Sequence, residues 1–276
     1  MKLLFSEAKA DYGHYIFPYA IWAFPEPGET PGDLFAQGFL PSSRQLDRFY
    51  LCRQLRVCLA QFRASSENRR ILRKGESLTA TLVARADFDY TPARREFCKA
   101  YAERKFGPEV MSRDRLDSLF NSPITSHVLL FTDTASGAEA GLVTLYLEPE
   151  ALAYYYYAFY DLNHPASSLG MFMMTTAVAL FAARGFRHLH LGTCYSESAL
   201  YKTQFTGIEF FNGFRWSGDL GELKFILERD QRENHQHLLE SEPFREKFYG
   251  GDLAHMTSAG GFRVQLKKGQ GGSSNN

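Results

Sequence analysis

A period-two alternation of apolar and polar residues predicts most of the strands in this chain. The segments 127–132 and 140–147 alternate in this way, and the turn-prone residues 133–137 between them predict a β-hairpin. The next segment, 153–160, holds five tyrosines and a phenylalanine and predicts a third consecutive strand. Further strands are predicted at 79–86, 188–192 and 223–227, with one or two more within 49–62.

Helices are predicted where the apolar spacing lengthens and capping residues flank it. Thr91 and Pro92 precede 93–106 as an N-cap and a first-turn proline. The segment 169–183 is almost continuously apolar, as expected of a helix lying on a sheet, and Gly185 is placed to end it. Shorter helices are predicted at 112–120 and 198–204.

The order strand, strand, strand, helix, strand, helix predicts an α/β (α+β) protein with a mixed, mostly antiparallel sheet flanked by helices. The strand-helix-strand step requires a right-handed crossover. This order is the one used by GNAT-like acyltransferases. We divide the chain into a smaller aromatic, proline-rich and basic N-terminal region (1–75), a GNAT-like transferase domain (76–266) and a disordered Gly/Ser/Asn-rich tail (267–276).

Composition is that of a globular protein, with 45% apolar and 22% charged residues among 276. Lys plus Arg (31) equals Asp plus Glu (31), so any site for a polyanion must be a local patch. The sequence shows neither a signal peptide nor an apolar run of membrane length, which predicts a cytoplasmic protein without a membrane partner. It indicates no oligomeric state.

Four scattered cysteines predict reduced thiols rather than a disulfide framework. Cys52 and Cys58 lie near each other in sequence, but two thiols supply half of a usual zinc or iron-sulfur ligand set. They are weak candidates, and we predict no metal. His235 and His237 lack neighbouring ligand residues and are predicted to lie on the surface.

Six short motifs stand in a characteristic order along the chain: 34–39 (LFAQGF), 68–74 (NRRILRK), 160–170 (YDLNHPASSLG), 189–192 (LHLG), 201–202 (YK) and Phe205. Together they give the chain a colinear resemblance to the aminoacyl-tRNA protein transferases, which include arginyl-transferring proteins and bacterial leucyl-transferring relatives. Cys52 and Cys58 remain where many members carry a cysteine cluster, with Leu55 in place of a middle cysteine. The proline that usually follows the aromatic near Phe205 is missing.

The resemblance implies transfer of an amino acid from aminoacyl-tRNA to an amine, most often the N-terminus of a protein or peptide. The ester donor is already activated, so this chemistry needs alignment and oxyanion stabilisation but no cofactor or metal. The implied catalytic residues are Tyr157, Asp161, Tyr201 and Lys202. The implied donor-binding residues are Ser168, Leu169 and Gly170, at a helix N-terminus that suits an anionic group. Arg69, Arg70, Arg73 and Lys74 are the implied tRNA-binding residues.

Two other functions stay open at this point. One is a GNAT-type N-acyltransferase that uses acyl-CoA, although 165–170 lacks the glycine turn usual in acyl-CoA users. The other is a non-catalytic module that binds tRNA or a peptide. Structural roles compete as well: Tyr157 can be an ordinary strand residue, Asp161 an Asx-type turn residue, and the arginine run a solvated face.

Overall fold

The computed structural model describes residues 1–11, 13, 17–164, 168–232 and 237–261. Its strands are β1 (Lys2–Glu7), β2 (Tyr19–Phe24), β3 (Phe39–Pro41), β4 (Phe49–Leu51), β5 (Gln54–Cys58), β6 (Leu78–Ala84), β7 (His127–Asp133), β8 (Glu139–Glu148), β9 (Leu152–Tyr160), β10 (His188–Thr193), β11 (Ile208–Phe211) and β12 (Trp216–Ser217). Its α-helices are α1 (Pro31–Ala36), α2 (Ser66–Lys74), α3 (Pro92–Phe106), α4 (Arg113–Phe120), α5 (Leu169–Ala183), α6 (Leu220–Asp230), α7 (Glu242–Tyr249) and α8 (Leu253–Ser258).

The large sheet has the mixed topology predicted from the sequence. Its eight described strands run in the order β12-β11-β5-β10-β9-β8-β7-β6. Each described neighbouring pair is antiparallel except β9 and β10, which are parallel and are joined through α5. A parallel pair needs such a crossover helix, so this unit fixes α5 against the sheet. The predicted mixed, mostly antiparallel sheet with one strand-helix-strand crossover is confirmed.

The sheet opens between its two parallel strands. Only residues Leu152–Tyr154 of β9 pair with β10, through His188–His190, although both strands continue beyond these residues. β10 also contains a register shift between His190 and Gly192 where it pairs with β5. The unpaired ends of β9 and β10 therefore leave a gap in the sheet next to the N-terminus of α5.

A one-residue bulge in β9 changes which side chains face α5. Thr144 is opposite Tyr157 and Leu145 is opposite Tyr155, so Tyr156 is the extra residue. The Thr144 hydroxyl accepts a hydrogen bond from the Tyr157 amide at 3.1 Å, which satisfies the bulged backbone. Since alternation is interrupted here, Tyr156 and Tyr157 both pack on one face of the sheet while Tyr155 packs on the other.

Two apolar cores cover the two faces of the large sheet. On one face, α2, α5, α6, α7 and α8 pack against the strands, with Phe131, Phe181 and Leu189 fully buried. On the other face lie α1, α3, α4 and the small sheet of order β1-β2-β4-β3. The aromatic N-terminal segment is thus part of a core, as its composition predicts.

Most predicted elements are present, with three differences. The segment 223–227 is not a strand but part of α6. The Asp219 side chain caps the helix by accepting hydrogen bonds from the Gly221 and Glu222 amides. Leu223, Ile226 and Leu227 then form one buried helical face. The segment 197–203 is a 3-10 helix. β5 pairs with β10 and β11 inside the large sheet, which therefore draws on both sides of the predicted boundary at 75/76. The predicted tail 267–276 lies outside the described residues, and within them no helix is long and apolar enough to cross a membrane.

Candidate functional site

A cavity of about 460 Å³ lies where the end of β9 meets the N-terminus of α5. β9 supplies one wall, the first turns of α5 supply a second, and α3 and the 3-10 helix at 197–203 close the sides. The residues that line it are Tyr101, Lys105, Tyr155, Ala158, Tyr160, Asp161, Leu162, His164, Ser168, Leu169, Gly170, Met171, Met174 and Tyr201.

Five of the predicted site residues meet at this cavity. They are Asp161, Ser168, Leu169, Gly170 and Tyr201, which come from three separate segments of the chain. The Asp161 carboxylate accepts a hydrogen bond from the Asn163 amide at 2.8 Å, which is the Asx turn considered above. Tyr201 is 50% exposed, so its ring stands at the cavity mouth.

The start of α5 has an unusual backbone. Ser168 precedes the helix in the left-handed region, at φ 76° and ψ 37°, and its side chain makes no capping hydrogen bond. A serine there is strained by about 1 kcal/mol, and such strain tends to be retained at functional sites. The Met171 and Phe172 amides donate to the Ser168 carbonyl, so the amides of Leu169 and Gly170 lie ahead of the helical hydrogen-bond ladder.

Gly170 is required by its neighbour Tyr160. A Cβ atom at Gly170 would lie 2.9 Å from the hydroxyl and from Cζ of that tyrosine. Tyr160 in turn packs against Tyr101, with their ring centroids 4.7 Å apart. The glycine thus lets an aromatic wall close on the helix terminus, and its role in donor binding stays a prediction.

Two predicted catalytic residues do not line the cavity. Because of the β9 bulge, Tyr157 packs on the opposite face of the sheet, where its ring contacts Tyr156 and Phe159. Lys202 is partly buried behind Tyr201, and its ammonium group donates to the Thr193 carbonyl at 3.1 Å. Burial lowers the pKa of this lysine, which is a structural cross-link in the described conformation.

Three tyrosines of the cavity were not predicted from the sequence: Tyr101, Tyr155 and Tyr160. Burial, and next the Tyr160 hydroxyl, raises the pKa of Tyr101 above its ordinary value, and burial raises the pKa of Tyr155. These phenols therefore stay neutral and keep their donor hydrogens at physiological pH. The run of tyrosines in 153–160 was the available signal, but the family resemblance pointed to Tyr157 and not to these three.

The four predicted tRNA-binding residues lie on one exposed face of α2. At 100° per residue, Arg69, Arg70, Arg73 and Lys74 span an arc of about 140°, opposite the buried Asn68 and Ile71. Arg70 forms an ion pair with Glu67, and Arg69 donates to the Ala64 carbonyl.

The helix that carries this basic face packs directly on the start of α5. A Cβ at Gly75, which ends α2, would lie 2.3 Å from the ring of Phe172 in the first turn of α5. The basic face and the cavity thus belong to neighbouring helices.

Cys52 lies two residues before the start of β5, and Cys58 is the last residue of that strand. Both are free thiols. The five residues of β5 alone span about 13 Å, whereas two thiolates on one zinc ion lie about 4 Å apart. The two cysteines therefore cannot bind the same ion. Within the described ranges no group of three or more potential ligand side chains is close enough to hold a metal. His237 is exposed as predicted, and His235 lies outside the described residues.

Comparison with known proteins finds relatives that are named as transferases. No family model matches the chain. The chain is 26% identical over 224 residues to an aspartate/glutamate leucyltransferase of Ruegeria pomeroyi, covering 78% of each protein. It is 24% identical over 193 residues to the protein of the same name from Ruegeria sp. strain TM1040, covering 67% of this chain and 70% of that one. The predicted resemblance to the aminoacyl-tRNA protein transferases is confirmed.

Structure comparison gives partial matches to solved structures. The C-terminal domain of a putative lysylphosphatidylglycerol synthetase from Agrobacterium fabrum matches with a TM-score of 0.42 and 15% identity, over 52% of this chain and 47% of that one. L-PGS from Bacillus licheniformis matches with a TM-score of 0.40 and 13% identity, over 52% of this chain and 46% of that one. The chain spans about half the length of each.

Proposed function

We propose that the protein transfers an aminoacyl group from aminoacyl-tRNA to an amine, most often the N-terminal amine of a protein or peptide. The observation that carries this proposal is the convergence of Asp161, Ser168–Gly170 and Tyr201 on one cavity at the N-terminus of α5. The relatives above are named for transfer of a leucyl group to aspartate or glutamate. Leucine is therefore the first donor to test, and peptides that begin with Asp or Glu are the first acceptors.

The cavity suits an activated ester with an uncharged side chain. Ala158, Leu169, Met171 and Met174 supply apolar lining, and Asp161 supplies a carboxylate. The carboxylate would hold the ammonium group of the aminoacyl ester or of the acceptor, and Tyr201 at the mouth would donate a hydrogen bond to the tRNA end. The ester already carries the free energy for amide formation, so the remaining task is to align the amine with the carbonyl carbon.

The exposed basic face of α2 supports tRNA as the carrier of the donor. The chain has no net charge, so a polyanion must bind through a local concentration of cations such as this one. Because α2 packs on the first turn of α5 through Gly75 and Phe172, phosphates held on α2 would keep the acceptor end of the tRNA near the cavity. An acyl-CoA donor has no comparable feature in its favour.

A transfer assay tests the proposal. Purified protein, leucyl-tRNA labelled in the amino acid and peptides beginning with Asp, Glu or Ala are mixed, and label in the peptide is measured. We expect transfer to acidic N-termini and its loss in Asp161→Asn. Acetyl transfer from acetyl-CoA with none from tRNA would instead establish the acyl-CoA alternative, and tRNA retention without turnover would establish a binding module.

A further inference from the structure

The cavity holds a buried phenol that lacks a hydrogen-bond partner. Tyr155 is only 6% exposed, it lines the cavity, and within the described part of the chain its hydroxyl has neither a hydrogen-bond partner nor measurable contact with solvent. Buried hydroxyl groups are normally paired, because an unpaired one loses its bonds to water without replacement. An exception next to an open cavity calls for a functional explanation.

Ordinary alternation along the first part of β9 places Tyr155 on the α5 side of the sheet, together with Ala153. The bulge follows at Tyr156 and sends the next two tyrosines to the other core, so Tyr155 is the one member of the run 154–157 that lines the cavity. Tyr160 and Met174 line the same cavity. Pairing of β9 with β8 and packing in the core beneath α5 hold the Tyr155 ring on rigid elements before any ligand arrives.

We propose that the Tyr155 hydroxyl is a catalytic hydrogen-bond donor, which binds the carbonyl oxygen of the aminoacyl ester and stabilises the negative charge formed on that oxygen during transfer. This inference rests on the proposed function and adds a residue to it. A neutral phenol with a free donor hydrogen, itself shielded from water at the cavity wall, is the kind of group that oxyanion stabilisation requires.

The step balances without any further reactant. The acceptor amine attacks the ester carbonyl carbon, so a C–N bond forms and the carbonyl oxygen becomes negative. The bond from that carbon to the ribose oxygen then breaks, the carbonyl reforms as an amide, and the proton lost by the amine ends on the ribose hydroxyl. Tyr155 donates a hydrogen bond throughout and keeps its proton.

Tyr155→Phe removes the hydroxyl and leaves the ring, and Tyr156→Phe is the matched control because it removes a phenol one residue away on the other face of the sheet. With leucyl-tRNA and an Asp-initiated peptide, we expect kcat of Tyr155→Phe to fall by about 100-fold with little change in KM for the tRNA, as on loss of one oxyanion donor. The control should keep the wild-type kcat.

Thermal unfolding of each variant separates chemistry from folding. Tyr155→Phe should melt at or above the wild-type temperature, because it removes a hydroxyl with no partner. Wild-type transfer together with a kcat of Tyr155→Phe within threefold of wild type would overturn the inference while leaving the proposed function intact. No transfer by the wild-type protein would overturn both. If Tyr155→Phe does not fold, 3-fluorotyrosine at position 155 keeps the donor and must support wild-type or faster transfer.

Discussion

The basic face of α2 gives a quantitative prediction for tRNA binding. Of its four cations, Arg73 and Lys74 have exposed side chains that form neither a hydrogen bond nor an ion pair with any other described residue. Replacing both with glutamine therefore removes no described intramolecular partner, and we expect the free energy of unfolding to change by less than about 0.5 kcal/mol. Any effect on binding then reports on lost contacts to phosphates.

The expected magnitude follows from counterion release. Each phosphate contact contributes about 0.7–0.9 to the slope of log K against log salt concentration, so the double variant should lose about 1.4–1.8 from that slope. Raising the salt from about 50 to about 200 mM should then weaken wild-type binding by about 7–12-fold more than it weakens variant binding. Fluorescence anisotropy of labelled tRNA over that salt range measures both slopes.

A matched control separates a local patch from a change in net charge. Lys224 and Arg232 are exposed on or just after α6, so Lys224→Gln with Arg232→Gln removes the same charge elsewhere. We expect its slope to match that of the wild type. A double variant on α2 with an unchanged slope, or a control with an equally reduced slope, would refute the assignment of phosphate contacts to α2. Glu67→Gln, which releases Arg70 from its ion pair, should strengthen binding.

Three further predictions concern stability. Gly75→Ala places a Cβ 2.3 Å from the Phe172 ring and should lower the free energy of unfolding, measured with urea, by about 1–3 kcal/mol. The double variant Gly75→Ala/Phe172→Leu should recover stability. Wild-type stability of Gly75→Ala would show that the two helices can separate freely. Asp219→Ala removes the N-cap of α6 and should cost about 1 kcal/mol, whereas Asp219→Asn should cost less; an equal loss in both would discount the cap. Burial, followed by Arg56 and Arg187, lowers the pKa of His188 to about 4. Between about pH 4 and 6.5 the unfolded state therefore binds a proton at His188 that the folded state does not bind. The stability contributed by neutral His188 is complete above about pH 6.5. The free energy of unfolding then declines by about 1 kcal/mol per pH unit as the pH falls toward 4. His188→Gln should flatten the pH dependence of the unfolding midpoint over that range, and an unchanged profile would contradict the lowered pKa.

Local signals in the sequence predicted most of the strands and helices between residues 76 and 230. Thr91 and Pro92 cap α3 as expected, and the turn at 133–137 joins β7 to β8. The segment 223–227 was assigned the wrong structure because five apolar or long side chains in a row fit a strand as well as a buried helix. The side chain of Asp219, which decides the outcome by capping two amides, lies outside that window.

The part of the candidate site whose residues lie close together in the sequence was predictable. Asp161, Ser168 and Gly170 flank one loop, so their convergence follows from the strand-loop-helix order. Tyr101 joins them from α3 only through tertiary packing, which no local pattern encodes. Tyr157 was predicted from the family resemblance, and the sequence pattern gives no sign of the bulge that places its side chain on the other face of the sheet.

The bulge at Tyr156 also affects how this protein can be compared with its relatives. A single residue there reverses which face every later position of β9 occupies until the alternation is corrected. An alignment whose gap is shifted by one place along the tyrosine run would match Tyr155, which lines the cavity, to a residue that packs on the other face of the sheet. Residue roles in this strand should therefore be transferred between relatives by the side of the sheet on which a side chain lies. An engineered deletion of Tyr156 would move every later side chain of β9 to the opposite face of the sheet.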